Sequence, residues 1–169
     1  MRLEPICCAN TYVRIKFTAM RVVIQRVNKA SVVVDKEVVG QINCGLLVLV
    51  GFEEEDNQDD VSWIVKKLSG LRIFDDSNGA MNLSIQDVDG DFLCVSQFTL
   101  HAKTKKGNRP SYVKAANPNS AMPLYHHFIK GLKAESGRRV EQGVFGAKMV
   151  VSLENDGPVT ILIDTKNKE

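Results

Sequence analysis

The sequence predicts an α+β fold: a mainly antiparallel sheet with two packed helices. Three observations point there. About eight short runs rich in Val, Ile, Leu and Phe are separated by turn signals. Only two segments carry a 3.6-residue apolar period. Strands and helices do not follow the β-α-β rhythm of a doubly wound sheet.

The first run, residues 22–27, holds Val22, Val23, Ile24 and Val27 and is interrupted by Gln25 and Arg26. Residues 31–34 and 37–39 flank Asp35-Lys36 and read as a hairpin. Residues 45–52 form a continuous apolar run, the pattern of a strand buried on both faces. Residues 56–68 read as a helix, because Val61, Ile64, Val65 and Leu68 fall at i, i+3, i+4 and i+7. Asp56, Asp59 and Asp60 in its first turns suit the positive end of the helix dipole. Asn78-Gly79 and Asp89-Gly90 mark turns, the second leading into a strand over 91–99. A second helix is expected over 120–134, with Leu124, Phe128, Ile129 and Leu132 inward. Pro123 is placed in its first turn, where a missing N–H costs little. Residues 148–153 and 159–164 read as two closing strands.

A chain of 169 residues, 44% hydrophobic and 25% charged, fits one domain whose core needs neither disulfide nor metal. No apolar stretch reaches the ~20 residues of a membrane-spanning helix, so no membrane partner is expected. Cys7 and Cys8 are adjacent, and Cys44 and Cys94 stand alone in apolar surroundings. Without a Cys-x-x-Cys pair the spacing for zinc or dithiol chemistry is missing, and free thiols suit a reducing cytoplasm. The net charge of +2 resides in residues 1–19, where Arg2, Arg14 and Lys16 outnumber Glu4; basic and acidic residues balance in the remainder. Such a domain has no bulk attraction for nucleic acid and needs a local patch. Lys103, Lys105, Lys106 and Arg109 form its densest basic cluster, suited to phosphate contact. Residues 1–19 lack a targeting pattern and read as an extension before a domain of residues 20–165, followed by a tail of residues 166–169.

Two strings place ligand-binding groups at strand ends. Ser96-Gln97-Phe98-Thr99 closes the run Phe92-Leu93-Cys94-Val95. A strand end followed by a loop can aim backbone N–H groups at a substrate carbonyl, with Gln97 adding a donor and an acceptor and Thr99 a hydroxyl. Thr99 as a nucleophile needs a base, and none adjoins it in sequence; His101, two residues on, reads as a surface residue. The second string is Asn155-Asp156-Gly157-Pro158-Val159-Thr160. Proline cannot join a central ladder, so Gly157-Pro158 is either a plain turn or a dedicated device. A Gly-Pro bond tolerates cis at a cost of ~0.5–1 kcal/mol, and cis is expected here. Arg26, in an apolar run, needs a partner if buried. Glu53-Glu54-Glu55-Asp56 lacks calcium-loop spacing and reads as a solvated helix approach. His126-His127 is a poor metal pair, since neighbours on a helix point apart.

The two strings together resemble the signature motifs of the D-aminoacyl-tRNA deacylase (D-tyrosyl-tRNA deacylase) family. The resemblance runs from about Met20 to Thr165 and includes Gly45-Leu46-Leu47-Val48-Leu49-Val50-Gly51, Leu71-Arg72-Ile73-Phe74, Lys106-Gly107-Asn108-Arg109-Pro110-Ser111 and Phe145-Gly146-Ala147. It implies a barrel- or roll-like sheet and a cytoplasmic homodimer with neither metal nor cofactor. It further implies hydrolysis of D-aminoacyl-tRNA at the tRNA acceptor end. It assigns catalysis to Gln97, Phe98 and Thr99, and substrate binding to Ser96, Arg26, Asn155, Gly157, Pro158 and Thr160. Gly157-Pro158 would enter the partner's pocket and exclude L side chains, while Arg26 fixes that loop. Glycine on the wrong tRNA would then also be a substrate. The tRNA's own 2′-hydroxyl is favoured as the assisting group, with Thr99 as nucleophile the second reading. A non-catalytic tRNA-binding module, or a deacylase of altered chirality, are the alternatives on the same fold.

Overall fold

The computed structural model describes residues 19–168. Two long antiparallel partners organise it, β1 (Arg21–Val34) and β8 (Val150–Asp164), and each joins two segments that the sequence presents as separate. Gln25 and Arg26 do not break β1, because its backbone is paired on both edges. β3 (Gly45–Gly51) lies along its first half, β2 (Glu37–Ile42) along its second, and β8 along the opposite edge. The β1–β2 hairpin turns on Asp35 and Lys36, both at positive φ (50° and 72°). That backbone matches the twist of the flanking strands.

β8 is one strand with a bulge, where the sequence suggests two. Gln25 pairs with Thr160 and Val27 with Asn155, so residues 156–159 face Arg26 alone. Gly157 and Pro158 occupy this bulge, where a missing N–H interrupts no regular ladder.

The sheet is mostly antiparallel but mixed. β6 (Asp91–Ser96) runs parallel to β3, and β7 (Val140–Gln142) parallel to β6. Apolar periodicity marks a strand without giving its pairing direction, so neither parallel pair shows in the sequence. The crossovers carry α1 (Gln58–Ser69), the small ladder of β4 (Phe74–Asp75) and β5 (Met81–Leu83), and α2 (Pro118–Ser136). β2 and β7 approach one another where Arg139 Nη2 donates to the Gln41 carbonyl (3.3 Å), leaving the sheet nearly closed into a barrel.

Capping sets the helix starts. Asn57 accepts from the Asp59 and Asp60 amides while Asp60 accepts from the Asn57 amide, so α1 begins after Asn57. Asn117 caps α2 with Pro118 first in the helix. Pro123 therefore lies in the second turn instead of the first. Its neighbour four residues back, Asn119, is exposed, and water can take the carbonyl left free.

Alternate residues of β3 serve two cores. Leu46, Val48 and Val50 meet Ile64, Leu68, Phe128 and Leu132 of the helices, while Leu47 packs inside the barrel with Val27, Val32, Leu93 and Val95. Each large side chain so buried contributes about 1.5–3 kcal/mol. The apolar run of β3 reflects this burial on both faces.

Ala19 and Met20 are buried, and Met20 exchanges hydrogen bonds with Thr165. Lys166 Nζ lies 2.5 Å from Asp60 Oδ1, and Lys168 sits over the Trp63 ring. The expected extension, apart from Ala19, and Cys7 and Cys8 lie outside the described residues. Among the described residues no helix is long and apolar enough to cross a membrane.

Candidate active site

β6 ends at Ser96 and not at Thr99. The Gln97 amide donates to the Val50 carbonyl (2.7 Å), after which the chain tightens into a 3-10 turn, Phe98–His101. This turn lifts Gln97 and Phe98 to a cleft of about 570 Å³. Ser96, Gln97, Phe98, Tyr112, Ala116 and Phe145 are among the residues that line it, and Thr99 stands behind Gln97 outside that lining. Gln97 Nε2 donates to Thr99 Oγ1 (2.5 Å). Among the described residues Thr99 has no basic side-chain partner, so its hydroxyl is oriented but not activated. Phe98 is 57% exposed and packs edge-on to Tyr112, with ring centroids 5.0 Å apart. Sequence reasoning passes over Tyr112, Ala115, Ala116 and Met149 as lining residues, because small and apolar side chains carry no chemical signal; only Phe145-Gly146-Ala147 shows, through the resemblance.

A second cluster surrounds the bulge of β8. Arg26 is 4% exposed. Its Nε meets the Asp156 carbonyl (3.3 Å) and Oδ2 (2.8 Å), and its Nη1 reaches the Ile73 carbonyl (2.7 Å) and Asp75 Oδ1 (3.1 Å). Asn155 Oδ1 accepts from the Val159 amide (2.9 Å), and its Nδ2 donates to the Val159 carbonyl and to Thr160 Oγ1. The Gly157–Pro158 bond is cis, with Gly157 at φ 114°, and both residues are exposed. None of Arg26, Asn155, Gly157, Pro158 or Thr160 lines the cleft of its own chain. The bulge cluster is thus separate from the cleft of its own chain.

Lys103, Lys105, Lys106 and Arg109 lie on an exposed loop closed by paired hydrogen bonds between Lys103 and Ser111. The loop springs from the Phe98–His101 turn and returns at Tyr112, so both its roots adjoin the cleft wall. None of the four cations pairs with a carboxylate among the described residues.

Comparison with known proteins assigns the chain. The family described as D-Tyr-tRNA(Tyr) deacylase matches residues 23–164. The chain belongs to the D-Tyr-tRNA(Tyr) deacylase family. A D-aminoacyl-tRNA deacylase of Flavobacterium psychrophilum is 58% identical over 150 residues, spanning 89% of this chain and all of the relative. One of Bacteroides fragilis is also 58% identical over the same length and the same shares. A solved structure described as c-Myc DNA Unwinding Element Binding Protein superposes with a TM-score of 0.79 at 38% identity, covering 85% of this chain and 97% of that one.

Beside the strand ends of this deacylase-family cleft lies a polar cluster that the sequence presents as solvated. Glu53 and Asp56 are buried, not part of an exposed acidic approach, and His101 is buried, not on the surface. The reason is local: the Asp56 carboxylate folds back onto the Glu53 amide (2.7 Å), and the 3-10 turn carries His101 inward. Glu54 does face solvent, where it binds Asn117 and Ser120 at the start of α2, and the Ser120 hydroxyl holds its carboxyl below the usual range. Cys44 is exposed, against the apolar setting expected for it, whereas Cys94 is buried and its thiol is pushed up by that burial. Among the described residues no group of three His, Cys, Asp or Glu is placed to hold a metal.

Burial pushes the Asp56 carboxyl up to about 6, against the opposing hydrogen bond from the Glu53 amide. A raised carboxyl favours the folded state when protonated, so this contribution is full below about 4, the unfolded value, and fades as pH rises through about 6. Asp56→Asn, which cannot ionise, is expected to gain stability relative to the wild type across that window and hold the gain above it. Thermal melting of both proteins from pH 4 to 7 measures this; parallel curves would contradict it.

Proposed function

We propose that this protein hydrolyses the ester bond of D-aminoacyl-tRNA, releasing the D-amino acid and free tRNA. The observation that carries the reading is the Gln97–Thr99 pair at the end of β6, opening onto an aromatic-walled cleft in a chain of this family. The terminal adenosine and its ester enter the cleft, the backbone N–H of Phe98 polarises the ester carbonyl, and Ser96 lines the cleft beside it. With Thr99 held by Gln97 and without a base, positioning and polarisation are favoured over a covalent intermediate. The tRNA's 2′-hydroxyl then assists attack by water.

The separation of bulge and cleft suggests a homodimer in which Gly157 and Pro158 of one protomer enter the cleft of its partner. Their exposure, and their absence from the cleft of their own chain, support that arrangement. Arg26 and Asn155 hold the bulge in shape from behind. A backbone wall of this kind excludes the side chain of an L-amino acid; glycine has none, so glycyl-tRNA is accepted too. The work of the enzyme is chirality proofreading in the cytoplasm. Purified protein is expected to release D-tyrosine and glycine from their tRNAs with EDTA present. Loss of activity on chelation, or none on D-tyrosyl-tRNA, would refute the reading.

The basic loop is assigned to the phosphates of the acceptor end. Replacing Lys103, Lys105, Lys106 and Arg109 with alanine is expected to raise KM more than it lowers kcat. The log–log salt slope should flatten by roughly 0.7–0.9 per lost contact. An unchanged slope would return these residues to solvent.

A further inference from the structure

We infer that Glu53 and His101 form a buried positioning pair that locks the turn following Gln97 to the segment that brings Ala115 and Ala116 to the cleft. The inference rests on the deacylase reading of the cleft. His101 closes the 3-10 turn that begins at Phe98, and its Nδ1 lies 3.1 Å from Glu53 Oε1. Both side chains are withdrawn from solvent, at 0% and 2% exposure. Glu53 is also tied to the segment that carries Ala115 and Ala116 into the cleft lining. It forms an antiparallel bridge with Ala115, and the neighbouring Ala116 amide donates to the Phe52 carbonyl (2.9 Å). Lys114 Nζ lies 3.8 Å from the same Oε1. One carboxylate oxygen therefore meets a group from each of the two segments. A carboxylate this deeply buried is stable only while paired, so the imidazole is fixed in place by the cost of leaving it.

The imidazole in turn bears on Gln97. Gly51 has no side chain, and a Cβ built there would stand 2.7 Å from the Gln97 carbonyl oxygen and 3.0 Å from His101 Nε2. The ring and the Gln97 peptide converge on that one point. Among the described residues His101 Nε2 has no hydrogen-bond partner, and the ring is held there by packing. The ring and the Gln97 carbonyl thus border the same space beside Gly51, and loss of the ring opens that space next to the carbonyl.

The test compares steady-state hydrolysis of D-tyrosyl-tRNA by the full chain and its variants, with thermal melting alongside. His101→Leu is expected to lower kcat about 20-fold with KM within about threefold, at a temperature well below its melting point. His101→Asn restores an N–H near the Nδ1 position and is expected to recover kcat to within about fivefold of the wild type. The double variant Glu53→Gln/His101→Leu removes the unpaired charge and tests the same coupling where the leucine variant does not fold; its kcat is expected to stay at least about tenfold down. A double variant, or a folded His101→Leu, with kcat within about threefold of the wild type would overturn the inference. So would asparagine performing no better than leucine. A wild-type protein inactive on D-tyrosyl-tRNA would instead overturn the reading beneath it.

Discussion

A Gly157→Ala variant is expected to lose at least about 100-fold in kcat/KM toward D-tyrosyl-tRNA while remaining folded. Gly157 sits at φ 114°, a conformation that costs a residue with a Cβ of order 1–3 kcal/mol. The added carbon would stand 2.9 Å from Val159 Cγ2 and 3.0 Å from Arg26 Nη2. Neither neighbour yields readily: Val159 is buried, and Arg26 is tied to Asp156, Ile73 and Asp75. The exposed dipeptide must move instead. A displacement near 1 Å in a positioning group costs about 10²-fold in rate. Because the change lies on an exposed bulge, the core survives and the melting temperature falls by only a few degrees. Mixing this variant with one lacking the Gln97 side chain gives a further readout, since in the proposed dimer each hybrid would contain one intact composite site. Full activity of Gly157→Ala alone would remove the bulge from the substrate path.

Gly51→Ala is expected to act at the cleft. Here the new Cβ meets a backbone oxygen, that of Gln97, at 2.7 Å, and the His101 ring at 3.0–3.1 Å. A flexible side chain could step aside; a peptide whose carbonyl accepts from the Leu100 amide (3.3 Å) within the 3-10 turn cannot do so without tilting. Overpacking of this kind costs about 1–3 kcal/mol, so the melting temperature should fall by several degrees. The larger effect is on turnover, because the tilted peptide carries the groups aimed at the ester. We expect kcat to fall about 50-fold with little change in KM. Loss of stability with kcat intact would show that Gly51 matters only to packing.

These effects are not legible in the sequence alone, and the reasons are physical. Strands and helices announce themselves by period, so the apolar run of β3 and the two amphipathic helices stand out. Pairing is a property of two segments at once. That is why the parallel β3–β6 pair and the continuity of β8 through Gly157-Pro158 appear only in the fold. Ser96-Gln97-Phe98-Thr99 is visible as a motif, but its 3-10 turn depends on the Gln97–Val50 bond across strands. Glu53, Asp56 and His101 mislead for a related reason. Acidic residues after a strand and a lone histidine read as surface, whereas the Asp56 carboxylate folded onto the Glu53 amide, the Glu53–Ala115 bridge and the 3-10 turn at His101 place them inside. Gly51 gave no signal, since close approach to another backbone leaves no trace in composition.

The central claim is that one cleft accepts D-aminoacyl esters and refuses their mirror images. It is tested by kcat/KM for D-tyrosyl-tRNA and L-tyrosyl-tRNA on the same preparation. We expect a ratio of at least about 100 in favour of the D ester, equivalent to ~2.7 kcal/mol of discrimination. A ratio near one would contradict the account, whatever the absolute rates.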